Sequence, residues 1–78
     1  MTLSQAHTGD YLRIEKINDP EVRASAIRFG IYEGAEVYCL RSIRKGPVVL
    51  QNSFQETAVG RNLAERIEAS MSESRRSA

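Results

Sequence analysis

Ala24-Ser25-Ala26-Ile27-Arg28-Phe29-Gly30-Ile31-Tyr32-Glu33-Gly34-Ala35-Glu36-Val37 reads as the end of a helix, a glycine stop, an apolar residue, a glycine turn and the start of a strand. Gly30 stands where a helix terminates in the left-handed backbone region, which a Cβ penalises. Ile31 follows at the position whose apolar side chain commonly folds back onto the last helical turn. Gly34 supplies the positive φ of a tight turn. The stretch joins a short helix to a β-meander with almost no spare chain. It specifies a fold, and nothing in it is catalytic.

Upstream, Asn18-Asp19-Pro20-Glu21 marks the start of the helix. Asp19 is a good N-cap, Pro20 fits the first helical position and Glu21 suits the positive end of the helix dipole. The predicted helix covers residues 20–29, with Val22, Ala26 and Phe29 on one inward face and Arg28 off it. Before it, residues 10–17 alternate as a half-buried strand with Leu12 and Ile14 inward. Ile17 breaks the phase, which predicts a twist or bulge at the strand end. Residues 3–8 read as one helical turn, capped by Ser4 and ended by Gly9.

Downstream, residues 36–44 read as a strand with apolar residues on both phases. Arg44-Lys45-Gly46-Pro47 is a turn, residues 48–51 the next strand, Asn52-Ser53 a tight turn suited to asparagine, and residues 54–59 the strand after it. Residues 60–64 read as a 3₁₀-like turn, and residues 66–69 close the unit with Ile67 inward. The predicted core comprises Leu12, Ile14, Val22, Phe29, Val37, Leu50 and Ile67. Five short strands with one inserted helix predict a mainly β fold, a small barrel that removes most sheet edges. One domain is expected over residues 1–69, followed by a flexible polar tail over residues 70–78.

The chain has 78 residues and a formal net charge of +1. So small a charge argues against a dedicated nucleic-acid binder, which carries a strong basic excess. One cysteine, Cys39, excludes an intramolecular disulfide framework and a closed cysteine-based zinc site within one chain. No apolar run approaches the length of a membrane span, and the N-terminus lacks a signal-peptide profile. A cytoplasmic protein without membrane insertion is the expectation.

The order and spacing of these features resemble the ferrous iron transport protein A (FeoA-like) family. The matching residues are Met1-Thr2-Leu3-Ser4, Gly9, Arg23, Phe29-Gly30-Ile31, Tyr32-Glu33-Gly34, Gly46-Pro47, Ala58-Val59-Gly60 and Leu63-Ala64-Glu65-Arg66-Ile67. Glu33 stands where the family usually has proline, Ala26 where leucine is common, and Asn52-Ser53 where glycine is frequent. The resemblance implies an SH3-like barrel with extra helices. It also implies a small accessory protein that contacts the cytosolic domain of an FeoB-type membrane GTPase transporter and carries no iron itself. Alternatives are a stand-alone SH3-like regulatory domain, like that at the C-terminus of iron-dependent repressors, and a generic peptide-binding module.

No side-chain set with catalytic spacing is present, so an enzyme is not expected, and neither a cofactor nor a metal site is predicted. His7 is the only histidine and reads as a solvated loop residue; the competing reading is a metal ligand or general base. Cys39 reads as a small core packer rather than a reactive thiol. Tyr11, Tyr32 and Tyr38 read as scattered packing rather than as an aromatic groove for a proline-rich peptide. Partner contact is assigned to Arg41, Arg44 and Lys45 around one strand end, with Arg23 and Arg28 on the helix. The bland reading of the first three is a solvated hairpin end.

Overall fold

A strand's side chains alternate between two faces, so a core-facing strand must either keep phase or slip it. The first strand, β1 (Tyr11–Ile17), does both. Leu12 and Ile14 keep phase and are fully buried, and Ile17 is fully buried although it lies three residues beyond Ile14. The pairing with the last strand shifts register between Ile14 and Lys16, which turns Ile17 back inward. The computed structural model describes residues 1–52 and 55–72.

The helix α1 (Pro20–Ile27) begins as its sequence dictates. The Asp19 carboxylate accepts from the backbone N–H groups of Glu21 at 3.0 Å and Val22 at 3.5 Å. Val22 and Ala26 form its buried face. It ends in a Schellman arrangement: the Gly30 N–H donates to the Ile27 carbonyl at 3.1 Å and the Ile31 N–H to the Ala26 carbonyl at 3.1 Å. Gly30 has φ +78° and Ile31 is buried, as expected from the sequence.

Phe29 does not join the core and is 45% exposed. Its inward assignment required the helical spacing from Ala26 to continue for a further three residues. The helix stops at Ile27, and the closing turn carries the Phe29 side chain out. Gly30 is also demanded by a close approach. A Cβ there would lie 2.1 Å from Asn52 Nδ2, and that amide donates to the Gly30 carbonyl at 2.8 Å. Asn52 therefore ties its own strand to the helix-closing turn, and its backbone stays outside the left-handed region.

The remaining elements are β2 (Glu36–Ser42), β3 (Val48–Asn52), β4 (Gln55–Val59), α2 (Arg61–Ala64) and β5 (Ile67–Met71). A 3₁₀ turn (Leu3–Gln5) precedes β1. The five strands form one antiparallel sheet in the order β4-β3-β2-β1-β5. This is a mainly β, SH3-like small barrel whose sheet is not closed. The sheet wraps Leu12, Ile14, Ile17, Val37, Cys39, Val48, Leu50, Val59 and Ile67 into one core, and Leu3, Val22, Ala26 and Ala64 complete it.

Besides the earlier helix end, other boundaries differ from the sequence expectation: the first turn covers Leu3–Gln5 only, and β3 runs on to Asn52. β2 ends at Ser42, residues 61–64 form a short α-helix, and β5 runs on through Ser70 and Met71, which pair with Arg13 and Leu12. Thr2, rather than Ser4, precedes the first turn, and its N–H donates to Gln5 Oε1 at 2.8 Å. Ser53 and Phe54, read as turn and strand start, lie outside the described residues, as do residues 73–78 of the expected tail.

Candidate partner-binding surface

Arg28, Arg41, Arg44 and Lys45 are exposed, and none makes an ion pair or side-chain hydrogen bond among the described residues. Arg41 lies on β2 beside the register shift between Cys39 and Arg41. Arg44 and Lys45 occupy the β2–β3 turn. An unpaired cation on a fixed backbone is available to an outside carboxylate, whereas one already bonded would first have to break that bond.

The turn is held firmly. The Gly46 N–H donates to the Ile43 carbonyl at 2.8 Å, and the Ile43 N–H donates to the Pro47 carbonyl at 3.1 Å. Lys45 adopts φ +59°, a left-handed conformation uncommon for a residue with a Cβ. Arg61, at the start of α2, clamps this turn. Its Nε donates to the Gly46 carbonyl at 2.9 Å, its Nη1 to the Ser4 carbonyl at 2.6 Å and its Nη2 to the Ile43 carbonyl. The planar guanidinium fork serves three acceptors from two distant segments, which a lysine ammonium does not reproduce. Sequence reasoning missed Arg61, because the carbonyls it binds belong to no motif. The only available signal was its place directly after the Val59-Gly60 stop.

Arg23 stands apart from the other candidates. Its Nη2 donates to the Ile17 carbonyl at 3.0 Å and to Glu33 Oε2 at 3.3 Å. The same Glu33 oxygen accepts the Ile17 N–H at 3.1 Å. Glu33, a departure from the family pattern, thus fastens its own turn to β1 and α1. Arg23 acts as an internal tie. Arg28, expected on the helix, lies just past its last residue in the closing turn, and its side chain is free.

The other singled-out residues divide clearly. His7 is exposed, and its backbone N–H donates to Asp10 Oδ2 at 2.8 Å. Cys39 is fully buried, and burial pushes its thiol above the usual range, against a smaller lowering by a hydrogen bond from the Arg41 backbone. Tyr11 and Tyr38 are not scattered. They face each other across β1 and β2 with ring centroids 4.6 Å apart, while Tyr32 is exposed elsewhere. Among the described residues, no three His, Cys, Asp or Glu side chains gather as a metal site. No described helix is long and apolar enough to cross a membrane.

The fold and the sequence have clear relatives. The crystal structure of an iron uptake regulatory protein (FeoA) superposes with a TM-score of 0.84 at 25% identity, over 91% of this chain and 96% of that one. The solution structure of an FeoA-like protein from Clostridium acetobutylicum gives a TM-score of 0.78 at 16% identity, over 91% of this chain and 85% of that one, a likeness of fold. Comparison with curated proteins finds no match. The family model described as the FeoA domain matches residues 1–71, and the chain belongs to that family.

Proposed function

We propose that this chain serves ferrous iron uptake as a small cytosolic accessory protein that docks on the cytosolic domain of an FeoB-type membrane GTPase transporter. Membership of the FeoA family supports the iron-uptake role. The observation that carries the mode of action is the set of exposed cations, Arg28, Arg41, Arg44 and Lys45, left without internal partners and partly mounted on the turn clamped by Arg61. Such charges speed encounter and set register with an acidic partner more than they add affinity. The protein acts by contact, not catalysis, and holds no iron, cofactor or nucleic acid of its own. Arg23 contributes by holding α1 against β1 rather than by touching the partner.

The test is capture of the transporter from the native membrane fraction by the tagged protein, with and without guanine nucleotides. Enrichment of an FeoB-type GTPase supports the reading. Recovery of a DNA-bound repressor in its place would move the protein to the regulatory-domain class.

A further inference from the structure

The two edges of the sheet are treated differently. β5 is covered by the chain's own N-terminus: Thr2 bridges to Glu68, and the Ala69 N–H donates to the Met1 carbonyl at 2.8 Å. β4 has no such cover among the described residues. The β3–β4 register fixes which of its backbone groups are free. Asn52 pairs with Gln55 across only two intervening residues, so this must be a hydrogen-bonded pair. Alternation then makes Leu50–Thr57 and Val48–Val59 hydrogen-bonded pairs as well. The N–H and C=O groups of Glu56 and Ala58 point the other way, off the sheet.

Exposed edges are normally blunted by charged side chains, lysine above all, or by proline, a bulge or a covering segment. β4 reads Gln-Glu-Thr-Ala-Val and pairs with β3 in unbroken register, so it has no lysine, proline or bulge, and Glu56 is its one charge. It is instead self-complementary. Two antiparallel copies related by a dyad through Thr57 would pair Glu56 of each with Ala58 of the other, so both outward-pointing groups of each strand find partners. The carboxylates face small apolar side chains, not one another, and no like-charge pair opposes the register. The dyad also sets Thr57 against its own copy in a non-hydrogen-bonded pair, where side chains approach most closely. The Thr57 hydroxyl is buried and without a partner in the single chain. A χ1 rotation exchanging hydroxyl and methyl would join the two hydroxyls across the dyad.

We infer that β4 is a homotypic docking edge through which two copies of this chain join their sheets, antiparallel and centred on Thr57. One short strand makes a small contact, and small contacts are weak. Sedimentation velocity at low salt from about 10 μM to about 1 mM therefore covers the range in which association is expected. The register makes a charge-specific demand. Ala58→Glu sets carboxylates opposite Glu56 twice and should abolish dimers. Ala58→Lys sets an ammonium opposite Glu56 twice and should retain or strengthen them, although an edge lysine ordinarily blocks pairing. Under a mild oxidant, Thr57→Cys should cross-link rapidly, because facing Cα atoms about 4.5 Å apart lie within disulfide range. Glu56→Cys, which is more exposed but displaced from its own copy by two residues, should cross-link at least tenfold more slowly. A protein monomeric throughout the range, equal loss of dimer with both position-58 variants, or faster cross-linking at position 56 would each overturn the inference.

Discussion

Gly30→Ala brings two separable costs that a double-mutant cycle can tell apart. The first is conformational. Gly30 sits at φ +78°, where a Cβ costs about 1–2 kcal/mol. The second is contact. The new methyl would lie 2.1 Å from Asn52 Nδ2, so the amide must swing away and give up its 2.8 Å bond to the Gly30 carbonyl. A hydrogen bond of this kind contributes about 1 kcal/mol net. Alanine also stiffens the unfolded chain, which returns roughly 0.5 kcal/mol. The net expected loss is about 2 kcal/mol, or roughly 10 °C in Tm for a domain of this size. Asn52→Ala alone should cost about 1 kcal/mol. In that background the bond is already gone, so Gly30→Ala should cost only about 1 kcal/mol of backbone strain less the unfolded-state term. Urea unfolding of the four proteins supplies the cycle. A coupling near 1 kcal/mol is expected. Additive losses would refute the tie between the end of β3 and the helix-closing turn, and a neutral Gly30→Ala would refute the strained helix end itself.

Two further perturbations test the frame. Arg61→Ala leaves three carbonyls without their donor and should destabilise by about 2–3 kcal/mol, with Arg61→Lys recovering less than half; equal stability of the lysine variant in chemical denaturation would contradict the three-pronged clamp. Cys39 should resist thiol reagents until the protein is unfolded. Its folded pKa is raised, so the unfolded chain loses the proton first. The stability from keeping the thiol neutral is thus present below the usual value of 9.0 and lost as pH rises through it toward the folded value, a slope that Cys39→Ala should remove.

Much of the frame was legible because it depends on local chemistry. Asp19-Pro20, Gly30-Ile31 and Gly34 each need only neighbouring residues to act, and each does what its type dictates. The phase break at Ile17 was legible for the same reason, since a buried residue off phase requires a slip in the ladder. What failed was reading beyond a local stop. Phe29 fits the helical face in one dimension, but the turn that begins after Ile27 carries it outward. Arg61, Asn52 and Glu33 act across 15 to 57 residues of chain on backbone carbonyls or N–H groups, which leave no trace in side-chain patterns. The surface candidates followed a similar division. Spacing put Arg23 and Arg28 together on the helix, yet the structure bonds the first internally and leaves the second free in the closing turn beyond Ile27.

The most direct measurement is the association rate of this protein with a purified FeoB-type cytosolic domain, by stopped flow at two ionic strengths. Charges exposed at the β2–β3 turn act over a screening length of about 10 Å at 0.1 M salt, so their effect should shrink as salt rises. The double charge reversal Arg44→Glu with Lys45→Glu should slow association about tenfold or more at low salt and leave the fold intact, and the gap from the parent should narrow at high salt. Arg23→Gln should lower stability through the lost bonds to Ile17 and Glu33 while leaving the association rate of the folded protein unchanged. An unchanged low-salt rate in the double reversal, with binding otherwise confirmed, would contradict docking through the clamped turn.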